Sequence, residues 1–303
     1  MSEPHPVSDR PLAGIMLMAA GVSILPLMDG IAKYLVADFP VMQVVWARFA
    51  FHLLWILPLL MIWLRPSDLW PRRPVAQLVR SAFLLAATLC FFSAIRYMPI
   101  ADALALLFVS PMICTLLSPL VLGERVGTWR WAAVVAGFAG ALILIRPGFG
   151  VFHWASLLAL SAGVLHGLYL LGTRVLAGSS RPALTLAYTA VVGTLAMSIL
   201  MPTVWVAPTG TQWGWMVLMG LLGAAGHFLV IRSFERASAP VVAPVGYAEI
   251  VSATLVGYWA FRDFPDPWTW CGIIIIVGSG IMISLRERGR PLPPETRAGG
   301  AVH

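Results

Sequence analysis

Charge is scarce in this chain. Asp, Glu, Lys and Arg make up 11% of its 303 residues, against about 25% in a typical soluble domain. That deficit leaves no room for a large soluble domain. Cys90, Cys114 and Cys271 all fall in apolar segments without metal-ligand spacing, so a disulfide framework and a zinc site are not expected, and free buried thiols are. No glycine-rich phosphate cradle is present, which argues against ATP drive within this chain. No His, Asp and Glu set has metal spacing either, and no cofactor is expected. Lysine occurs once, as Lys33. The net charge of +7 comes from arginines at segment ends. Without a basic arm or a stacking platform, these do not make a nucleic-acid surface.

What is abundant is apolar length. Hydrophobic residues reach 59%, and the mean hydropathy is +0.86. Ten apolar runs, at about 12–36, 41–64, 76–97, 100–122, 129–146, 154–176, 183–205, 213–235, 240–261 and 267–286, are each near the length a helix needs to cross a bilayer. The expectation is an all-α polytopic membrane protein. Residues 1–11 read as a polar cytoplasmic tail and 287–303 as a disordered one. The first run contains Pro26 and charges and lacks a small-residue cleavage site, so it reads as a retained helix. With the N-terminus inside, Arg65, Arg72, Arg73, Arg80, Arg125, Arg130, Arg174 and Arg181 fall on the inner side, and only Arg96, Arg146 and Arg262 on the outer. Both termini are therefore expected in the cytoplasm, in a membrane that is expected to be the bacterial inner one. Tryptophans at span ends, such as Trp129, Trp154 and Trp268, form an interfacial belt.

The chain also repeats. LVLGERVGTWRWAAVVAGFAGALILIR closes the first half and WAFRDFPDPWTWCGIIIIVGSGIMISL the second, about 139 residues later. Each runs apolar helix, charged turn, Trp-x-Trp, glycine-punctuated helix. Units of five spans must insert with opposite orientation, because five is odd. The reading is two inverted five-helix repeats, 12–146 and 154–286, an arrangement that places transporter sites near the midplane.

Several segments carry a family likeness. They are Arg48 in WARFAF, AIRYMPIADALALLFVSPM at 94–112, Leu-Gly-Glu at 122–124, and ERASAPVVAPVGYAEIVSATLVGYWAFRD at 235–263. In order and spacing the chain resembles the drug/metabolite transporter superfamily, in its ten-helix EamA-type branch. The resemblance implies secondary transport of a small metabolite through a central cavity between the halves. Members of the family handle amino acids and their derivatives, vitamins, nucleotide-related compounds and drugs. The second-half turn departs from the pattern, reading Phe-Arg-Asp.

The rare ionisable residues inside spans are the candidate site, because a charge facing lipid costs several kcal/mol. Asp29 and Lys33 share a helix face one turn apart. They read either as a neutralising ion pair or as a substrate-binding or proton-coupling pair lining the cavity. Pro26, one turn earlier, is a candidate kink. Arg48 and His52 are also one turn apart, with Trp55 continuing the face. Arg48 stays charged, so it requires a carboxylate such as Asp29 or Glu249, a solvated cavity, or an anionic substrate group. Glu249 lies on a small, polar stripe with Ser252, Ala253 and Gly257, opposite Val251, Leu255 and Tyr258. It reads as a proton-coupling and substrate-binding carboxylate, or as a structural hydrogen-bonder.

Tyr247 reads as a cavity hydrogen-bonder or an anchor. His166 and His227 read as interhelical bonders or relays. Trp46 and Trp55 are candidates to stack on a substrate ring. Asp102 sits in a first helical turn, where the helix dipole favours it. Clustered cations suit an anionic or zwitterionic metabolite such as an amino acid or derivative. The expected partners are therefore a small-molecule substrate, the lipid bilayer and protons, with the oligomeric state open. The competing class is an integral membrane enzyme acting on a lipid or isoprenoid. Such enzymes gather His, Asp or Ser at one interface, whereas these groups are deep and scattered.

Overall fold

In a computed structural model of the chain, which describes residues 11–63, 71, 73–123, 126–146, 153–176 and 182–286, ten helical segments are long and apolar enough to span a bilayer. The helices are α1 (Pro11–Asp38), α2 (Val41–Trp63), α3 (Pro74–Ile95), α4 (Ile100–Leu107), α5 (Ser110–Leu122), α6 (Thr128–Ile145), α7 (Ala155–Val175), α8 (Pro182–Leu200), α9 (Gly210–Arg236), α10 (Ala239–Gly246), α11 (Glu249–Val256) and α12 (Pro267–Arg286). A 3-10 turn, Met201–Val204, extends α8, and a π-turn, Gly257–Phe261, extends α11. The two expected tails lie outside the described residues.

Local chemistry explains where the helices start and stop. Thr209 and Gln212 form a reciprocal capping box at the start of α9, with the Thr209 N–H donating to Gln212 Oε1 at 2.9 Å. Proline opens α3, where its missing N–H costs nothing. Gly123 ends α5 in the left-handed conformation, at φ 66°. Arg262 ends the π-turn in the same conformation, at φ 60°. These two residues are the middle positions of the turns Leu-Gly-Glu and Phe-Arg-Asp. At this middle position the divergent second-half turn thus keeps the conformation of the first, although arginine is strained there and glycine is not.

The fourth and ninth spans cover the expected residues, and each carries a turn at mid-depth where the regular helix breaks, between α4 and α5 at Phe108–Val109 and between α10 and α11 at Tyr247–Ala248. Pro111 and Pro244 are the sequence signals that could have flagged the breaks, since each removes a backbone donor. Pro26, by contrast, sits buried inside an unbroken α1.

Packing follows the inverted repeat. The first span, α1, lies along the eighth, α9, and the third, α3, lies along the sixth, α7. The second span, α2, packs on the seventh, α8, and the fifth, α6, on the tenth, α12. Exchanging the halves maps each of these pairings onto another or onto itself. Close approach depends on small residues. Ala155, Ala159, Gly163 and Gly167 form a buried seam on α7. A Cβ at Gly163 would stand 2.5 Å from the Leu106 carbonyl oxygen, so the seam presses on the α4–α5 break. Gly220 and Gly223 seat α9 on α2 and α1. Leu35, Phe92, Ile95, Ile100 and Leu104 are almost wholly buried and concentrate the dense core in the end of the bundle away from the termini.

A Cβ at Gly220 would meet the Phe51 carbonyl carbon at 2.7 Å, whereas one at Gly278 meets nothing within 4 Å. Gly220→Ala is expected to cost about 1–3 kcal/mol through overpacking. It should lower the melting temperature of the detergent-purified protein by several degrees, and Gly278→Ala should leave it unchanged or slightly raised.

Candidate functional site

A cavity of about 420 Å³ lies between the halves. Its walls come from α1, α2, α3, the two broken spans, α7, α9 and α12. Met18 and Val22 on α1, Phe234 on α9 and Ser284 on α12 line its outer reach. All four belong to the parts of their helices near the termini. Arg48, Phe92 and Leu104 line its deep end. The cavity therefore runs from mid-depth towards the end that carries both termini. A second hollow of about 560 Å³ lies on the flank between α3 and α7, beside Val75, Val79 and Phe83. Its walls are almost wholly apolar, and Val75 and Val79 are exposed. It reads as a lipid-facing groove and not as a route.

The ionisable residues of the deep end come from different helices. Asp29 reaches it from α1, Arg48 from α2, His166 from α7, His227 from α9 and Glu249 from the first turn of α11. The Arg48 guanidinium donates to Thr88 Oγ1 at 2.9 Å and lies 5.0 Å from the Phe49 ring centroid and 5.8 Å from that of Phe92. Among the described residues it has no carboxylate within 4 Å. The charges of Asp29 and Arg48 interact at longer range. Neither Asp29 nor Glu249 makes a hydrogen bond among the described residues. His166 Nδ1 lies 3.1 Å from Ser110 Oγ, and its ring stacks on Tyr169 at 5.4 Å with an interplanar angle of 16°. Tyr247 meets Phe108 edge-on, with centroids 5.0 Å apart. Both residues stand at helix breaks and both line the cavity.

Three expectations are corrected. Lys33 is not at the cavity and does not pair with Asp29. Its Nζ bonds Asp263 Oδ2 at 2.6 Å and the Met98 carbonyl at 3.0 Å. One helical turn, about 5.4 Å of axis, carries it away from the deep end of the cavity into the closed end, where an acid from the other half is nearer than Asp29. Trp55 is also outside the cavity. Its Nε1 donates to the Val217 carbonyl at 3.3 Å, and the ring is exposed. The cause is α9, which crosses this face of α2 with Gly220 against Phe51 and Gly223 beside Met28 and His52. His52 is buried behind that crossing with Nε2 unpartnered, its ring 5.8 Å from His227. Trp46, finally, belongs to an aromatic cluster with Phe51, Trp205 and Trp213, and its Nε1 bonds Ser198 Oγ at 2.9 Å. The polar stripe on α11 faces as expected, since Val251, Leu255 and Tyr258 are exposed.

Sequence reasoning passed over Arg80, placing it among inner-side arginines. It is buried, at 3% exposure, and no carboxylate holds it among the described residues. It donates instead to Thr173 Oγ1 at 2.7 Å, Thr189 Oγ1 at 2.9 Å, the Thr185 carbonyl at 3.3 Å and the Tyr169 hydroxyl at 2.7 Å. Arg80 thereby fixes Tyr169, whose ring backs His166 at the cavity wall. The threonines at 185 and 189, one turn apart on α8, were the available signal.

Ten helical segments able to cross a membrane, in two inverted halves around a mostly apolar central cavity that holds a few ionisable groups, have the plan of a membrane transporter. The chain belongs to the EamA-like transporter family, whose sequence profile matches residues 12–146 and 153–285. It is 29% identical to a riboflavin transporter of Rhizobium johnstonii over 94% of this chain and 95% of that one. It is 24% identical to an S-adenosylmethionine uptake transporter of Rickettsia bellii, covering 86% and 89%, and 27% identical to a pseudopaline exporter of Pseudomonas aeruginosa, covering 93% and 100%. A crystal structure with 22% sequence identity shares the fold at a TM-score of 0.62, covering 91% of this chain and 96% of the other. Small-molecule transport across a membrane is therefore the activity of this chain.

Tyr169→Phe keeps the ring and removes one acceptor from a buried guanidinium. Hydrogen bonds to charged groups contribute about 1.5–3 kcal/mol, so this variant should melt several degrees lower. Arg80→Met, which orphans several acceptors together, should fall further on the same thermal scan.

Proposed function

We propose that the chain is a secondary active transporter of a small metabolite that joins an anionic or zwitterionic group, as in an amino acid or derivative, to a flat ring. The two halves rock about the central cavity, in a bacterial inner membrane with both termini in the cytoplasm. The observation that carries this reading is Arg48: a permanent cation, held by Thr88 at the deep end of the cavity, with no carboxylate in salt-bridge reach among the described residues. Its remaining N–H groups are directed donors that suit a carboxylate or phosphate. Asp29 and Glu249 complement an ammonium group, and Glu249 or Asp29 carries a coupling proton. Phe91, Phe92, Phe108, Tyr169 and Tyr247 supply the surface for a ring.

A second reading has a specific basis. The aromatic lining also suits an uncharged flat heterocycle such as a flavin, whose carbonyl oxygens can accept from Arg48, and the relative in Rhizobium johnstonii is a riboflavin transporter.

A thermal-shift screen over riboflavin, S-adenosylmethionine and aromatic and imidazole-bearing amino acids separates these readings. A ring-bearing acid should raise the melting temperature of the parent protein. Arg48→Met should lose that rise and Arg48→Lys keep only part of it, because lysine lacks the planar fork. The apparent Kd should weaken at least tenfold in Arg48→Met. Riboflavin stabilising the parent and Arg48→Met alike, with no effect from acids, would overturn the anionic reading in favour of the flavin one.

Proton coupling is tested in proteoliposomes with whichever solute binds. Glu249→Gln or Asp29→Asn should abolish the response of uptake to an imposed pH gradient while leaving counterflow exchange. Uptake that still follows the gradient in both variants would remove the proton from the mechanism.

A further inference from the structure

The end of the bundle opposite the cavity mouth is fastened by ion pairs that each join one half to the other. Lys33, near the end of α1, bonds Asp263 of the turn after the π-turn at 2.6 Å. Arg146, at the end of α6, bonds Asp266 just before α12. Both cations belong to the first half and both acids to the second. Partial burial pushes Asp266 up, but the hydrogen bond from Arg146, the backbone N–H of Thr269 and the Arg146 charge together outweigh it and hold its carboxyl below the usual range. Asp266 is therefore ionised at neutral pH.

A third acid stands among these groups. Asp102, in the first turn of α4, keeps Oδ1 buried with no hydrogen bond among the described residues. Its charge interacts with Lys33, Arg146, Asp263 and Asp266. Asp102 belongs to the first half, as both cations do. Lys33 is already tied to that half through the Met98 carbonyl at 3.0 Å, four residues before Asp102 in the same turn into α4.

On the reading of the chain as an alternating-access transporter, parting the halves at this end pulls Asp263 and Asp266 away. Lys33 and Arg146 would then be stranded at the edge of the hydrocarbon, where an uncompensated buried charge is strongly destabilising. We propose that Asp102 is the exchange partner of this gate: as the halves separate, Lys33 and Arg146 pass from Asp263 and Asp266 to Asp102, so that a first-half cluster replaces the cross-half pairs. In the open gate the single Asp102 carboxylate then serves both cations, and Asp263 and Asp266, already 29% and 46% exposed when the gate is shut, are left to water. The cost of opening falls by what Asp102 returns to Lys33 and Arg146. Removal of a cross-half acid and removal of Asp102 must therefore act in opposite directions. The first favours the open gate; the second deprives it of its counter-ion.

Accessibility reads this directly. In a protein with Cys90, Cys114 and Cys271 replaced by serine, Leu104→Cys places one thiol at the deep end of the cavity. A membrane-impermeant maleimide is applied from the side opposite the termini. Lys33→Met and Asp263→Asn should each raise the labelling rate at least fivefold. Asp102→Asn should lower it at least threefold below the parent. The charge exchange Lys33→Asp with Asp263→Lys should return labelling towards the parent, which separates loss of the gate from loss of the fold. Asp102→Asn labelling faster than the parent, or equally fast, overturns the exchange. Uptake of radiolabelled riboflavin, S-adenosylmethionine and histidine by the parent is measured alongside. Uptake with no effect of Asp102→Asn on labelling removes the exchange alone. No uptake together with no labelling in any variant removes the transport reading as well.

Discussion

A charge inside a bilayer must be paired, solvated or hydrogen-bonded, and this structure uses each solution in a different place. Arg48, Asp29 and Glu249 border the cavity. Lys33 takes a carboxylate and a carbonyl at the closed end. Arg80 takes neutral oxygens and the face of Tyr169. The lipid-facing side of α11 is left to Val251, Leu255 and Tyr258. The bundle can be dense at one end and hollow at the other because its few ionised groups are spread between those two environments. The dense end carries the pairs of Lys33 with Asp263 and Arg146 with Asp266, and the hollow end carries Arg48, Asp29 and Glu249.

The two-fold relation of the halves gives that arrangement its geometry. Phe108 and Tyr247 are equivalent residues, each at the break of its span, and they touch across the axis. Two residues further along, Ser110 opens α5 and Glu249 opens α11. These positions are equivalent in the fold and unlike in chemistry. Ser110 is committed to His166, while Glu249 faces the cavity uncommitted. A broken helix at mid-depth is tolerated only where protein or a water-filled cavity covers it, and here the seam of α7 covers one flank of the first break while the cavity covers another.

The span count, the boundaries within a few residues and the inverted repeat were all legible in the sequence, because hydropathy over twenty residues and the parity of five spans are strong constraints. Helix-face periodicity also placed Asp29, Arg48 and Glu249 as residues needing a polar neighbour. It could not say which neighbour. Asp29 and Lys33 are one turn apart in the same helix, yet they end in different environments, because depth along α1 decides between the cavity and the closed end. Trp55 lies on the nominal face of Arg48, yet α9 crosses between it and the cavity. Arg80 was missed for the same reason: its acceptors are hydroxyls and a carbonyl on α7 and α8, and nothing in a hydropathy profile distinguishes a threonine that will hold an arginine from one that will bond its own helix.

The halves share a fold and differ in charge. A perfectly symmetric pair of repeats would make the two access states equal in energy and would offer a solute the same surface in either orientation. Here α1 and α2 carry Asp29, Lys33, Arg48 and His52, while α8, the counterpart of α2, contains no Asp, Glu, Lys, Arg or His. One wall of the cavity thus carries a fixed cation with a carboxylate in electrostatic reach, together with Phe91, Phe92 and Phe108, and the facing wall carries Tyr169, Tyr247 and Glu249. A solute that binds both access states with unequal affinity can shift their populations by that difference and no more.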